Sequence, residues 1–257
     1  MIRRDADRDW LLIAQADHAR IAAAIAGAWR FPPGVLESHR SELIEAVRGH
    51  DDGWPAWEAS PTIDPESGKP REFTEMPMNE ATRIWTESIR QCGERSPWGG
   101  LWVSRHFCRL AHRALENRES ASDVDALHAF LDQQARLRET HRSRLPEGPN
   151  VTDLEEKEDA GFLWVQFFDF VSLWICCAER TQPHSFSVPG GDSATAIPEP
   201  GGAIRLDGDR LSWSPVTLET KAIRIPAQSF DSDEDFRSAL RNADRASLTW
   251  NLVCEHD

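Results

Sequence analysis

Between Gly161 and Ala178 an almost wholly apolar run, GFLWVQFFDFVSLWICCA, carries a single acid near its middle, Asp169. Keeping a lone carboxylate charged inside an apolar helix is costly, so a proton, a basic partner or a metal ion must compensate it. Gln166, Asp169 and Ser172 are spaced three apart and form one polar stripe on a helix otherwise fit for a core. Such a stripe lines a cleft or a site, and the question of chemistry becomes what faces Asp169.

The nine histidines sort by helix face. His18 shares the apolar face of a helix at 15–29 with Ile21, Ile25 and Ala28. His50 closes a helix at 37–50 on its Leu43/Val47 face and is followed by Asp51. His39 is on that face too, but eleven residues earlier, roughly 16 Å along the axis and too far to share an ion. His106 borders the Val103, Phe107, Leu110, Ala114 stripe, while His112 points away from it. His128, His141 and His256 read as surface residues, and His184 falls in a connector. His18, His50, Asp51, His106 and Asp169 remain. Two imidazoles with two carboxylates suit a borderline divalent ion (Mn, Fe, Co, Ni or Zn), with water completing the shell. The ion would compensate Asp169, acidify its water and hold a phosphoryl oxygen. His106 or Arg109 would stabilise the developing charge, with Arg105 and Arg113 gripping an anionic substrate. Trp54 could stack on a planar group, and Gln166 could contact substrate from the polar stripe.

The order His18, then His50-Asp51, then Asp169 on successive helices resembles the H…HD…D signature of the HD-domain metal-dependent phosphohydrolases, over roughly 10–180. That resemblance implies a catalytic divalent metal held by His18, His50, Asp51 and Asp169, with His106 as a further ligand or a phosphate contact. The segments LLIAQADHA, GHDDGW, SRHF and QFFDFVSLW resemble an uncharacterised bacterial family of about 250 residues with no established activity.

The elements that must carry these groups are mostly helical. Two short strands around Ile2 and Trp10–Ile13 flank a polar DADRD turn. Helices follow at 15–29, 37–50, 79–92, 98–117, 122–144 and 152–178, with Pro32-Pro33-Gly34 ending the first. The segment 51–78 reads as a long irregular loop. The Pro/Gly/Ser-rich stretch 181–202 reads as a connector. Beyond it come a hairpin at Asp207-Gly208, strands at KAIRIPA and ASLTWNLV, and a short helix near 232–242. The expected fold is mainly α: an HD-like helical body (1–180), the connector, and a small β-rich tail (203–257) packed on the body, beside the N-terminal strands.

Charge and composition narrow the function. A net charge of −14 argues against nucleic-acid polymers and anionic membranes as partners. The central Gln and Asp of the 161–178 run favour a core helix over a membrane span. With no signal peptide and five cysteines lacking zinc-type spacing, a cytoplasmic protein with reduced thiols is expected. Neither a P-loop, a dinucleotide glycine pattern nor a Gly-x-Ser-x-Gly element occurs. The leading expectation is a metal-dependent hydrolase of a small phosphorylated compound or nucleotide. The alternatives are an iron-dependent oxygenase on the same ligands and a non-catalytic interaction or sensor protein.

Overall fold

The computed structural model describes all residues except 32, 33, 35, 118–119, 147–150, 178–181, 209–212 and 254–257. Strands β1 (Ile2–Ala6) and β2 (Asp9–Ile13) pair across a turn in which Asp7 takes a left-handed φ of 56°. Helices α1 (Gln15–Ala28) and α2 (Arg40–Gly49) follow, then a single turn α3 (Pro55–Glu58) inside the 51–78 segment. The long helices are α4 (Met78–Arg95), α5 (Pro97–Leu115), α6 (Ala121–Ser143) and α7 (Val151–Cys177). The rest comprises β3 (His184–Ser187), β4 (Ser193–Pro198), β5 (Ala203–Asp207), β6 (Val216–Pro226), α8 (Asp233–Arg241) and β7 (Asp244–Val253).

The mainly α reading with a small β unit is wrong. The chain is an α/β fold in which the helices lie on a seven-stranded mixed sheet of order β1-β2-β6-β7-β5-β4-β3. Every pairing is antiparallel except β5 with β7. The segment read as a connector holds β3 and β4, where Phe186, Ala194 and Ala196 are buried and Ser and Thr face outward. That alternation has period two, but its small polar residues mimic linker composition. The second arm of the hairpin expected at Asp207-Gly208 falls on 209–212, while its first arm, β5, pairs with β4 and, in parallel, with β7. Positions 209–212 of that reading, like Pro32, Pro33 and His256, lie outside the described residues.

The sheet is also tied to the N-terminus, because β2 pairs with β6 from Asp9↔Pro226 to Ile13↔Ala222. The run Trp10–Ile13 is apolar throughout because both faces of β2 are covered. Leu11 and Ile13 face the main core, whereas Trp10 and Leu12 join Ile225, Phe230 and Phe236 on the opposite side, beneath α8. The 51–78 segment docks on that side: Phe230 N–H donates to the Gly68 carbonyl (2.8 Å) and Ile63 N–H to Asp233 (2.8 Å).

On the main-core face α7 packs against α1, α2 and α5. Among the described residues one helix, Thr152–Cys177, is long and apolar enough to cross a membrane, yet 56% of its apolar 18-residue stretch is buried inside this fold. Its aromatic side, Trp164, Phe167 and Phe168, meets Trp29 and Phe31 at the end of α1. This packing fixes the rotation of α7 and turns Asp169 toward α1 and α2.

Candidate metal centre

Each functional side chain is set by a short local device. His18 is in the first turns of α1, immediately after β2 delivers the chain. His50 and Asp51 lie where α2 ends and turns. Gly53 holds that turn against α4: a Cβ there would meet the Ile84 carbonyl oxygen at 2.1 Å, and its N–H donates to Ser88 Oγ (2.9 Å). Only glycine permits so close a backbone approach. His106 projects from α5 and Asp169 from α7.

These five groups converge. His18, His50 and His106 are each 1% exposed, Asp169 4% and Asp51 6%. His18 Nε2 lies 2.8 Å from Asp51 Oδ2 and 3.6 Å from Asp169 Oδ1. His50 Nε2 lies 3.5 Å from the same Asp51 oxygen and 3.3 Å from the same Asp169 oxygen. His106 Nε2 faces the other Asp169 oxygen, Oδ2, at 3.6 Å. The His18 and His50 rings meet edge-on, their centroids 5.1 Å apart.

The hydrogen bonds assign the tautomers. His50 Nδ1 donates to the Val47 carbonyl (2.7 Å), which can only accept. Ser172 Oγ spends its proton on the Asp169 carbonyl (2.9 Å), so it accepts from His18 Nδ1 (2.8 Å). Both imidazoles therefore turn Nε2 to the centre with Nδ1–H tied behind, the arrangement that orients histidine ligands. In a neutral ring that Nε2 is a bare lone pair. It would repel a carboxylate oxygen 2.8 Å away unless a proton or a cation stands between them. Trp54 Nε1 donates to Asp51 Oδ1 (3.1 Å), holding the second oxygen and leaving Oδ2 for the centre.

The electrostatics follow. Burial alone pushes His50 down, but Asp51 and Asp169 outweigh it and raise its pKa to about 9. Burial opposes the charge on Asp169, yet His50 with the other two imidazoles draws it down to about 2. Asp51 is lowered in the same way, chiefly by His50 against its own desolvation. Desolvation dominates at His106 and lowers it to about 4, so it is a neutral base; its Nδ1 is buried with no partner among the described residues.

His18, His50 and Asp51 form a buried group that could hold a metal ion, their ligand atoms lying within 4.8 Å of one another. Asp169 is outside that group of three, but its Oδ1 lies 3.6 Å from His18 Nε2 and 3.3 Å from His50 Nε2. Four ligand atoms bound tetrahedrally at about 2.1 Å are about 3.4 Å apart; the four His-to-carboxylate separations run from 2.8 to 3.6 Å.

Of the other expected site residues, Trp54 lines the cavity over the centre, while the arginines of α5 and Gln166 lie elsewhere. The centre forms the floor of a cavity of about 320 Å³ walled by Trp54, Met78, Trp85, Phe107, Leu110 and Phe170, and no Arg or Lys is among its described lining residues. Arg105 is paired with Glu158 and Asp159, and it and the exposed Arg109 line a different surface of α5. Arg113 stacks over Phe170 and borders, with Gln166, a groove between α7 and β3. Trp54 is buried as an anchor for Asp51. His141, read as a surface residue, is buried against Gly93 and Gly100. Ser172 and Gln15 were missed. Ser172 stood on the polar stripe with Asp169, and that spacing was the available signal; Gln15 gives none beyond its place one turn before His18.

Over residues 1–234 the sequence matches the model of DUF3891, a family described as a protein of unknown function. The chain belongs to this family. No curated protein and no solved structure matches it. The family match covers both the helices and most of the sheet, so one family unit includes the whole site. The likeness to the HD-domain superfamily rests on the motif residues alone and is not shown by any comparison.

Proposed function

We propose that this protein is a metal-dependent hydrolase whose divalent ion is held by His18, His50, Asp51 and Asp169. One observation carries the reading: two imidazoles with their Nδ1 atoms tied behind turn their Nε2 atoms toward two carboxylates at ligand-to-ligand spacing. The mixed N/O donors favour Mn, Fe, Co, Ni or Zn over Ca or Mg. Such an ion would supply a Lewis acid and a water acidified to near neutrality. Asp51 and Asp169 balance the charge, and Ser172, Val47 and Trp54 keep the ligands oriented. Neutral His106, beside Asp169 and facing the cavity, is placed to take a proton from the attacking water and return it to the leaving group. The arginines expected to grip a phosphoryl group line other surfaces, so a phosphorylated substrate is not part of the proposal.

A second reading, an iron-dependent oxygenase, is favoured by the apolar walls above the same ligands. The two separate on cofactor demand: hydrolysis proceeds anaerobically with Zn or Mn, whereas oxygenation needs ferrous iron and consumes oxygen. The deciding test is metal content and melting temperature of the purified protein beside His50→Ala and Asp169→Ala. Near-stoichiometric metal in the wild type, lost in both folded variants, is the expected outcome. No uptake and no thermal shift with Mn, Co, Ni or Zn would end the metal reading.

A further inference from the structure

The cavity over the centre carries its own information about what enters it. Its walls are Trp54, Met78, Trp85, Phe107, Leu110 and Phe170, with only the His/Asp floor, Thr74 and Gln15 polar. Beyond the floor, where a cation or the His50 proton already balances two carboxylates, an anionic substrate would meet no guanidinium or ammonium among the described lining residues. At about 320 Å³ the space is about twice a cavity of about 150 Å³ that holds benzene. It fits one ring with a short substituent.

Gln15 adds a second, independent observation. It is 2% exposed, lines this cavity, and its side-chain oxygen is buried with no hydrogen-bond partner among the described residues. Its backbone N–H is already held by Glu58 Oε1 (2.8 Å), so the residue is fixed in place at the head of α1. A buried acceptor without a donor costs free energy unless something brings one. We infer that the site takes an uncharged, ring-sized, largely apolar molecule bearing one N–H or O–H donor, which Gln15 receives while the apolar walls enclose the ring. For a hydrolase this chemistry describes a small aromatic amide: its N–H meets Gln15 and its carbonyl faces the His/Asp floor. This rests on the site assignment proposed above, but its test does not depend on turnover.

Three fluorinated probes of like size separate the terms by fluorine NMR line broadening: 4-fluorobenzamide, methyl 4-fluorobenzoate and 4-fluorophenyl phosphate. In the metal-free protein 4-fluorobenzamide is expected to bind about tenfold more tightly than the ester, which lacks the donor, and Gln15→Leu should erase that difference. Ala114→Phe, which fills the cavity from α5 away from the ligand set, should abolish binding of both while leaving zinc uptake intact. With zinc present, the phosphate should still bind more weakly than the amide. Tighter phosphate binding, an unchanged amide preference in Gln15→Leu, or amide binding that survives Ala114→Phe would each overturn the inference. Absence of zinc uptake in calorimetry would instead strike the metal reading, and the metal-free titrations would still judge the cavity.

Discussion

Helices α5 and α7 enclose two buried clusters of charge, and the clusters differ in kind. Near the start of α7, Glu158 is fully buried and accepts from Arg142 Nε (2.6 Å) and Nη2 (2.7 Å), with Arg105 3.5 Å away. Eleven residues on, about 16 Å along the helix, the Asp169 carboxylate meets only imidazoles among the described residues. A guanidinium stays protonated at any accessible pH, so the Glu158 cluster is closed: its charges are matched by groups that cannot leave. An imidazole can shed its proton, so the Asp169 cluster is open to exchange between a proton and another cation. One helix thus carries a structural ion pair and an exchangeable site, and what separates two equally buried acids is the partner: half-buried guanidiniums for Glu158, fully buried imidazoles for Asp169.

The largest expected effect tests that contrast directly. Glu158→Gln takes the buried carboxylate from Arg142, which is only half-buried and keeps Glu139, and should cost about 1.5–3 kcal/mol of stability, with metal uptake unchanged. Asp169→Asn should lose metal binding by at least about 100-fold, yet cost the metal-free protein less, because His50 can deprotonate when its counter-charge is removed. Denaturant unfolding and zinc calorimetry on both variants check this. Equal destabilisation by the two, with no metal bound by wild type, would make Asp169 a second closed pair.

A smaller effect is expected from Ser172→Ala. Ser172 is not among the described residues lining the cavity over the centre, but its Oγ accepts from His18 Nδ1 and so keeps Nε2 directed at the centre. Loss of such a supporting hydrogen bond weakens metal affinity by about 10–100-fold. Ser172→Thr retains the hydroxyl and should recover most of it. Unchanged zinc affinity in Ser172→Ala would mean that α1 packing alone orients the ring.

The two clusters were unequally legible in the sequence. Asp169 stood out because its neighbours are apolar for many residues on either side. Glu158 was hidden in the acidic DLEEKED run, where nothing distinguishes a buried acid from solvated ones, and its partner Arg142 is on another helix. His18, His50 and His106 were found because helical periodicity says which side faces inward. The arginines of α5 misled for the same reason: periodicity gives direction around an axis but not what the neighbouring helix offers there, and Glu158 and Asp159 claimed Arg105. The sheet was under-read because β3 and β4 bury small residues between Ser and Thr, and because pairings such as β2 with β6, or β5 with β7, join segments that no local pattern relates.

The smallest effect, and the most specific, concerns pH. In the metal-free protein His50 is raised to about 9 by Asp51 and Asp169 against its burial, from about 6.5 when unfolded. A group raised on folding contributes stability that is fully present below its unfolded pKa and is lost as pH climbs through the folded one. Metal-free protein should therefore lose a few degrees of melting temperature between about pH 6.5 and 9. His106, lowered to about 4, acts in the opposite sense and only at lower pH: the unfolded chain takes up its proton below about 6.5 while the folded one resists it until about 4. The metal-loaded protein should stay nearly level over the upper window, because the ion replaces the proton at His50 and the folded state then has none there to lose. Its melting temperature should hold where that of the metal-free protein falls. The closed cluster offers no such divergence, since the guanidinium of Arg142 does not titrate there. Melting curves that run parallel with and without zinc from pH 6.5 to 9 would show that no cation displaces the proton at His50, and the distinction between the two ends of α7 would disappear.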